Sequence, residues 1–405
     1  MVNGLIDAFI SKLSSAFICI DLDNAHEQHQ SPFFSSLPPE VRQLILESVL
    51  GTCYDTRKRY NRDSIWRRPD QEAPLTSYTE VLNTCKRIYA EGRLLLWQSS
   101  DLVFYFIPPP ERPPRCTNPF RLERRLKALQ WEGLYTTIRS VQILCHLTSL
   151  QTSSCLQDVL DLENLNPRTV VTTIRHTDFP GWKTDEPLSI SGTWVSRCIL
   201  PTSVNKFVLE IESLKRKAAQ VNYLTKTALQ TWFFRRTDGS VLTADVSDVT
   251  VSEWQGRSTL NDRRWIRDES LPNELHYHIT KLIFRPRSWR CALAQTQEQI
   301  PDLTVPSYLV TRLSSNGASV RVAEHQFRRM LIRHSQTFST PPLHESTHLS
   351  CPGSWPEEKF DRADDAEEMD PSWLFPKLDW LLSEPEDTRF GGRQTGYYHM
   401  SRRQL

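Results

Sequence analysis

Two rhythms of hydrophobic and polar residues run along this chain, and the first to appear is helical. In "LPPEVRQLILESVLG", Val41, Leu44, Ile45 and Val49 fall on one stripe, Leu46 and Leu50 widen it, and Arg42, Gln43 and Glu47 face water. Pro38 and Pro39 suit first helical positions, Glu40 puts negative charge in the first turn, and Gly51 is a natural stop. The spacing predicts a helix ending near Leu50. A second helical period occupies "LTSYTEVLNTCKRIYAEGRLLLWQSS", where Leu82, Cys85, Ile88, Tyr89, Gly92, Leu95 and Leu96 share a face. Ser77 and Glu80 have capping-box spacing at its start, and Ser99-Ser100-Asp101 closes it. "LVFYFI" then reads as a buried strand stopped by Pro108-Pro109-Pro110. Burial is worth about 1.5–3 kcal/mol per large apolar side chain, so the two helical stripes are expected to pack together.

Beyond the prolines, helical and extended patterns take turns. "PFRLERRLKALQWEGLYTT" reads as a helix leading into the strand "IRSVQILCHL", and "TSSCLQDVLDLENL" as a helical piece before the strand "RTVVTTIRHTDF". The strand "VNKFVLEIE" precedes a long helix carrying Leu214, Ala218, Val221, Leu224, Ala228, Leu229 and Trp232. Asp238-Gly239 marks a turn before "VLTADVSDVTVSEW", read as a hairpin pair, and "YHITKLIFRP" is the last clear strand. Strands starting near Ile138, Thr169, Val204 and Ile279, mostly separated by helices, imply parallel pairing. The expected class is α/β, with α+β as the alternative: a helical head, then an irregular, mostly parallel sheet with helices. Trp131, Trp182, Trp194, Trp232, Trp254, Trp265 and Trp289 lie in or around this region and are expected to fill its core. The expected units are an N-terminal amphipathic segment at 1–30, the head at 31–107, the body at 108–290 and an irregular region at 291–405.

The head carries a resemblance. "LPPEVRQLILESVL" followed by "LNTCKRIYAEGRLLLW" resembles the F-box, whose pattern is Leu-Pro-x-Glu, an Ile/Leu helix and a Cys-Lys/Arg helix. It is closer still to an F-box-like family of filamentous fungi, which "VVTTIRHTDFPGW", "PTSVNKFVLEIE" and "HITKLIFRP" also resemble. The resemblance spans roughly residues 31 to 290. It implies a non-enzymatic protein–protein interaction role, with the head docking on the adaptor of a cullin-based ubiquitin ligase. The irregular alternation of strands and helices in the body is, separately, loosely similar to degenerate leucine-rich repeats. By position, Leu37, Pro38, Glu40, Ile45 and Leu46 would face the adaptor, while Leu82, Cys85 and Leu96 would complete the helical unit and the docking set. One departure is clear: 35 positions separate Leu50 from Cys85, more than an F-box has. Two readings of the apolar stripe therefore stand side by side, a docking surface and the roof of the chain's own core, the latter making the protein a self-contained scaffold.

The insert "TRKRYNRDSIWRRPDQEAP" holds Arg57, Lys58, Arg59, Arg62, Arg67 and Arg68 among Tyr60 and Trp66. Such residues can hold phosphates and stack bases, yet Lys+Arg of 49 against Asp+Glu of 48 leaves a formal charge of only +1. A solvated loop is the expectation, and nucleic acid is not an expected partner. Scarce Gly (13) and the lack of a glycine-rich turn after any strand argue against a phosphate-binding cofactor site. Nine cysteines without a C-x-x-C pair read as free, mostly buried thiols of an intracellular protein, in cytoplasm or nucleus.

The ends of the chain add little chemistry. The start lacks a basic leader region, and Leu5, Ile6, Phe9, Ile10, Leu13 and Phe17 recur at helical spacing, which predicts an amphipathic helix packed on the following domain. No apolar run approaches the roughly 20 residues that cross a bilayer. "EEKFDRADDAEEMD" has eight acidic and two basic residues and reads as a solvated linker, and "PSWLFPKLDWLL" after it as a segment that docks back on the domain. His344-Glu345-Ser346-Thr347-His348 spells the zinc-hydrolase H-E-x-x-H. Two prolines precede it and Pro352-Gly353 follow, a poor platform for two histidines on one rigid helical face. A zinc metallohydrolase is thus the remote alternative, and no catalytic, cofactor or metal residue is assigned.

Overall fold

The computed structural model describes residues 25–60, 64, 66–107, 113, 117, 119–260, 263–287, 300–310 and 319–321. The amphipathic N-terminal helix, the acidic linker, the segment after it, His344–His348 and Trp289 lie outside them. Helix α1 (Pro39–Leu50) starts on the two prolines as expected. Helix α2 (Lys86–Gln98) starts later than the Ser77–Glu80 spacing predicts. A 3₁₀ turn over Thr79–Asn83 sinks Leu82 into the core, and Cys85 becomes the N-cap, its Sγ accepting from the Ile88 N–H at 3.5 Å.

A nine-stranded sheet dominates the body. Its strands are β1 (Asp101–Phe106), β2 (Ile138–Cys145), β3 (Pro167–Ile174), β4 (Ile199–Leu200), β5 (Lys206–Leu214), β6 (Phe233–Arg236), β7 (Val241–Thr243), β8 (Val249–Arg257) and β9 (Glu274–Pro286). Spatial order is β1-β2-β3-β5-β9-β7-β6-β4, with β8 also on β9. The first four strands run parallel, each beside its predecessor, joined by α3 (Pro119–Trp131), by the short helices α4 (Leu147–Thr152) and α5 (Cys155–Leu160), and by a segment containing α6 (Thr193–Arg197) and β4. From β5 onward pairing turns antiparallel, until β4 returns parallel to β6. The architecture is mixed α/β as expected. The sheet, however, has four parallel and four antiparallel pairings rather than being mostly parallel.

Two local expectations are corrected. Helix α7 is Ala218–Thr231, shorter than the pattern suggests, because Leu214 ends β5 and a 3₁₀ turn over Lys215–Lys217 intervenes. β7 and β8 do not pair with each other; both pair with β9, while β7 forms its hairpin with β6. The Asp238-Gly239 turn closes that hairpin, with Gly239 at φ +79, where an L side chain would be strained.

One apolar face of the sheet, with Phe104, Ile143, Val170, Leu209, Ile211 and Phe284, lies in a continuous core. α7 packs on β5 and β9, and α2 on β2. That core also contains Leu46, Leu50, Leu82, Leu95, Leu96 and Trp97 of the head, so head and body share one apolar interior. Ile300 and Leu303 are buried in it too, and Leu303–Thr304 pairs with Ser189–Ile190, which carries the ordered body past residue 290. Trp194, Trp232, Trp182 and Trp265 are buried as expected, whereas Trp131 is exposed. Cys145, Cys155 and Cys198 are buried thiols, and Cys53 and Cys85 are half-buried ones.

The opposite sheet face is polar, and the insert lies on it. Gln71 of the insert donates to Gln142, Gln142 to Thr173, Thr173 to Glu210, and Lys281 pairs with Glu210 at 2.8 Å. Tyr60, Arg68 and Ala73 are buried, so the insert is not the expected solvated loop: its arginine is needed to neutralise Glu212 beneath it, at 3.0 Å. Among the described residues no helix is long and apolar enough to cross a membrane.

Candidate functional site

Helix α1 has two faces set by what holds it down. Its inward stripe is Arg42, Leu46 and Leu50, one residue per turn. Leu46 and Leu50 reach α2 where Gly92 leaves room: a Cβ there would stand 3.1 Å from Leu50 Cδ1 and 2.7 Å from Leu82 Cδ2. Arg42, expected to face water, is buried instead. Its Nε and Nη2 donate to the two carboxylate oxygens of Glu91 at 3.0 and 2.9 Å, and Nη1 donates to the Leu37 carbonyl at 2.8 Å. This bond to Glu91 holds the guanidinium charged, above its ordinary value. The Arg87 guanidinium sits 4.5 Å from the Phe34 ring centroid and 3.5 Å from Glu91, fastening the chain before α1 to α2.

This clamp turns the remaining apolar positions outward. Val41, Leu44 and Ile45 are 39%, 65% and 38% exposed, and Val49 is half-buried. Spaced i, i+3, i+4, the first three form one contiguous apolar row. Of the residues expected to face an adaptor, Pro38, Glu40 and Ile45 are exposed and Leu37 is half-buried beside the row. Leu46 is corrected: it is buried against α2, and no partner reaches it. Leu82 and Leu96 are likewise core, and Cys85 is a half-buried helix cap. The row therefore consists of Val41, Leu44 and Ile45, flanked by Leu37, Pro38 and Glu40.

A second concentration of chemistry lies just beyond the carboxyl ends of β3 and β5, and sequence reasoning missed it. Arg175 follows β3 and makes a two-pronged pair with Asp178, both contacts at 2.9 Å. Arg216 bonds Asp185 at 2.6 Å and Asp268 at 2.5 Å, Lys217 bonds Asp185 at 2.9 Å, and Arg267 bonds Asp268 at 2.9 Å. His176 sits inside this ring against Trp182 and Tyr277, and burial pushes its imidazole down to about 3, so it is neutral. The signal was there: charges directly after two strands, in "IRHTDF" and "SLKRK". Each carboxylate here already holds a cation, so the cluster ties loops together. Among the described residues no group of three or more His, Cys, Asp or Glu could hold a metal ion. No family model matches the chain, and no curated protein or solved structure matches it significantly.

Proposed function

We propose that this chain is a non-enzymatic, F-box-like interaction protein of the cytoplasm or nucleus. Its first helix docks on the adaptor of a cullin-based ubiquitin ligase while the α/β body selects another protein. The observation that carries the reading is the outward row Val41–Leu44–Ile45 on a helix fixed from behind by Leu46, Leu50 and the Arg42–Glu91 pair. A rigid helix presenting an apolar row is a ready shape for a partner groove. The resemblance of "LPPEVRQLILESVL" and "TCKRIYAEGRLLLW" to the F-box supplies the kind of partner. The parallel run β1-β2-β3-β5, each strand beside its predecessor in the sheet, supports a loosely leucine-rich-repeat-like body.

A second reading, a self-contained scaffold with no ligase link, is favoured by the burial of Leu46, Leu82 and Leu96 in the core shared with the body. The full chain, tagged and incubated with purified ligase adaptor, separates the two. Retention of the adaptor, lost in Leu44→Asp/Ile45→Asp with the circular dichroism spectrum unchanged, supports docking. No retention by the wild-type chain refutes it and leaves the scaffold.

A further inference from the structure

The large sheet guards two of its borders and leaves a third open. At β1 the surrounding chain supplies the cover: the Asp101 N–H donates to Thr52 Oγ1 at 2.8 Å, and the Val103 carbonyl accepts from the Thr117 N–H at 3.0 Å. β4 is only two residues long. β8 is nine residues long, pairs with β9 in unbroken register, and has no other strand partner among the described residues. The Ser258 N–H donates to the Asn273 carbonyl at 3.1 Å, so by alternation the even positions of β8 turn their backbone groups toward β9. The odd positions Val251, Glu253 and Gln255 turn theirs outward. Side chains along this border are exposed at Thr250, Val251, Ser252, Glu253, Gln255 and Arg257. Proteins ordinarily blunt such an edge with proline, lysine or a bulge, and β8 carries none of these.

We propose that β8 pairs antiparallel with β8 of a second copy of this chain, joining two sheets across a two-fold axis at Gln255. The sequence of the strand is complementary to its own reverse. With Gln255 opposite Gln255, Glu253 of each copy faces Arg257 of the other, so the same charge pair forms twice. Trp254 then faces Gly256, which has no side chain to obstruct it; a Cβ there would stand 2.7 Å from the Trp254 ring of its own strand. Odd positions meet odd positions, so the outward backbone groups of both strands bond each other. Sliding the strands to centre on Glu253 would set two carboxylates face to face and Arg257 against Val249, which disfavours that register. Glu253 already holds Lys215 at 2.6 Å on the exposed surface, and its two oxygens accept a further donor from the second copy. A ladder this short buries little area, so the dimer forms and dissociates with concentration.

Sedimentation velocity of the full chain in reducing buffer, over a dilution series, tests the pairing. The wild type is expected to rise from one chain's mass toward two as concentration increases. Glu253→Arg alone and Arg257→Glu alone each set like charges opposite one another and should return the chain to monomer over the same range. Glu253→Arg with Arg257→Glu exchanges the two charges and should restore the dimer. Gln255→Pro removes an outward N–H without touching a bond to β9 and should also leave a monomer. Circular dichroism and urea midpoints confirm that each variant is folded; should the proline variant unfold, the charge exchange decides alone. A wild-type chain that stays monomeric throughout overturns the proposal. So does a dimer that survives both single reversals, which would place the contact on another surface. A dimer lost in the single reversals and not recovered in the exchange would overturn the pairing of Glu253 with Arg257.

Discussion

Arg68 and Glu212, 144 residues apart in sequence, meet at 3.0 Å with side chains only 6% and 4% exposed. Arg68 belongs to the insert between the head helices, and Glu212 to β5 at the middle of the large sheet. The second oxygen-bound donor on Glu212 is the Trp254 indole N–H at 3.0 Å, and Trp254 itself stacks on Tyr277 at 4.3 Å. A single ion pair thus anchors the insert to the polar sheet face and orders the aromatic pair beside it.

Breaking that pair is expected to cost far more than removing it whole. Arg68→Ala leaves the buried Glu212 carboxylate without its ion-pair partner, with the Trp254 N–H still on it, a loss of about 3–5 kcal/mol. Arg68→Met combined with Glu212→Leu removes both charges and keeps the volume, so most of that loss should return. Urea unfolding of the two single variants and the double variant reads this as a coupling energy. Additive losses would mean that the pair does not hold the insert.

The buried insert shows what a sequence can and cannot convey. Helix α1 was legible because its proline start, apolar period and glycine stop are all local. An isolated arginine reads as solvated, and that places Arg42 and Arg68 in water. Their burial depends on Glu91, 49 positions away, and on Glu212, farther still, and no local pattern carries such partners. The same limit explains β7 and β8: extended segments announce themselves by alternation, but alternation does not say which strand each will pair with. At the site, the apolar stripe was legible and its orientation was not, because the buried guanidinium rotates Val41, Leu44 and Ile45 outward.

Gly92 is expected to be sensitive to side-chain size rather than to backbone freedom. Its nearest obstacles are methyl groups of Leu82 and Leu50, the movable tips of their side chains. Gly92→Ala therefore gains helix propensity of about 1 kcal/mol against a small repacking cost and should change stability little. Gly92→Leu must push α1 away from α2, a loss of about 1–3 kcal/mol. Thermal or urea unfolding compares the two; equal losses would show that the helices are not held at this contact.

Acid sensitivity should trace in part to His176. An ordinary imidazole titrates near pH 6.5, while the buried one is held down at about 3. Between those values the unfolded chain binds a proton that the folded chain refuses. The contribution is thus fully present above about pH 6.5 and is lost as pH falls below it, by roughly 1.4 kcal/mol per pH unit. Asp268 favours the proton, and Lys217, Arg216 and Arg267 oppose it. Urea midpoints measured from about pH 7.5 to pH 5, above the ordinary carboxylate range, should fall in the wild type and flatten in His176→Gln. An unchanged slope in the variant would remove His176 from the account.

The two faces of α1 give opposite expectations at neighbouring positions, and this contrast decides whether the helix is a docking element. Leu44 is the most exposed position of the row, and its neighbour Ile45 is also open to solvent. An aspartate at either meets water, so Leu44→Asp should shift unfolding by no more than about 0.5 kcal/mol, the usual range for surface changes. Leu46 is sealed beneath, against Gly92, and Leu46→Ala should lose about 2–5 kcal/mol through transfer and cavity terms. If partner binding follows the outer face, Leu44→Asp abolishes it at unchanged stability. Leu46→Ala instead keeps it at temperatures where the protein stays folded. The reverse pattern, binding lost with Leu46→Ala in a folded chain and kept with Leu44→Asp, would mean that the partner reads another surface and that the Val41–Leu44–Ile45 row is incidental. Unfolding curves and adaptor retention measured on the same preparations separate these outcomes, because one variant changes only the surface and the other only the packing beneath it.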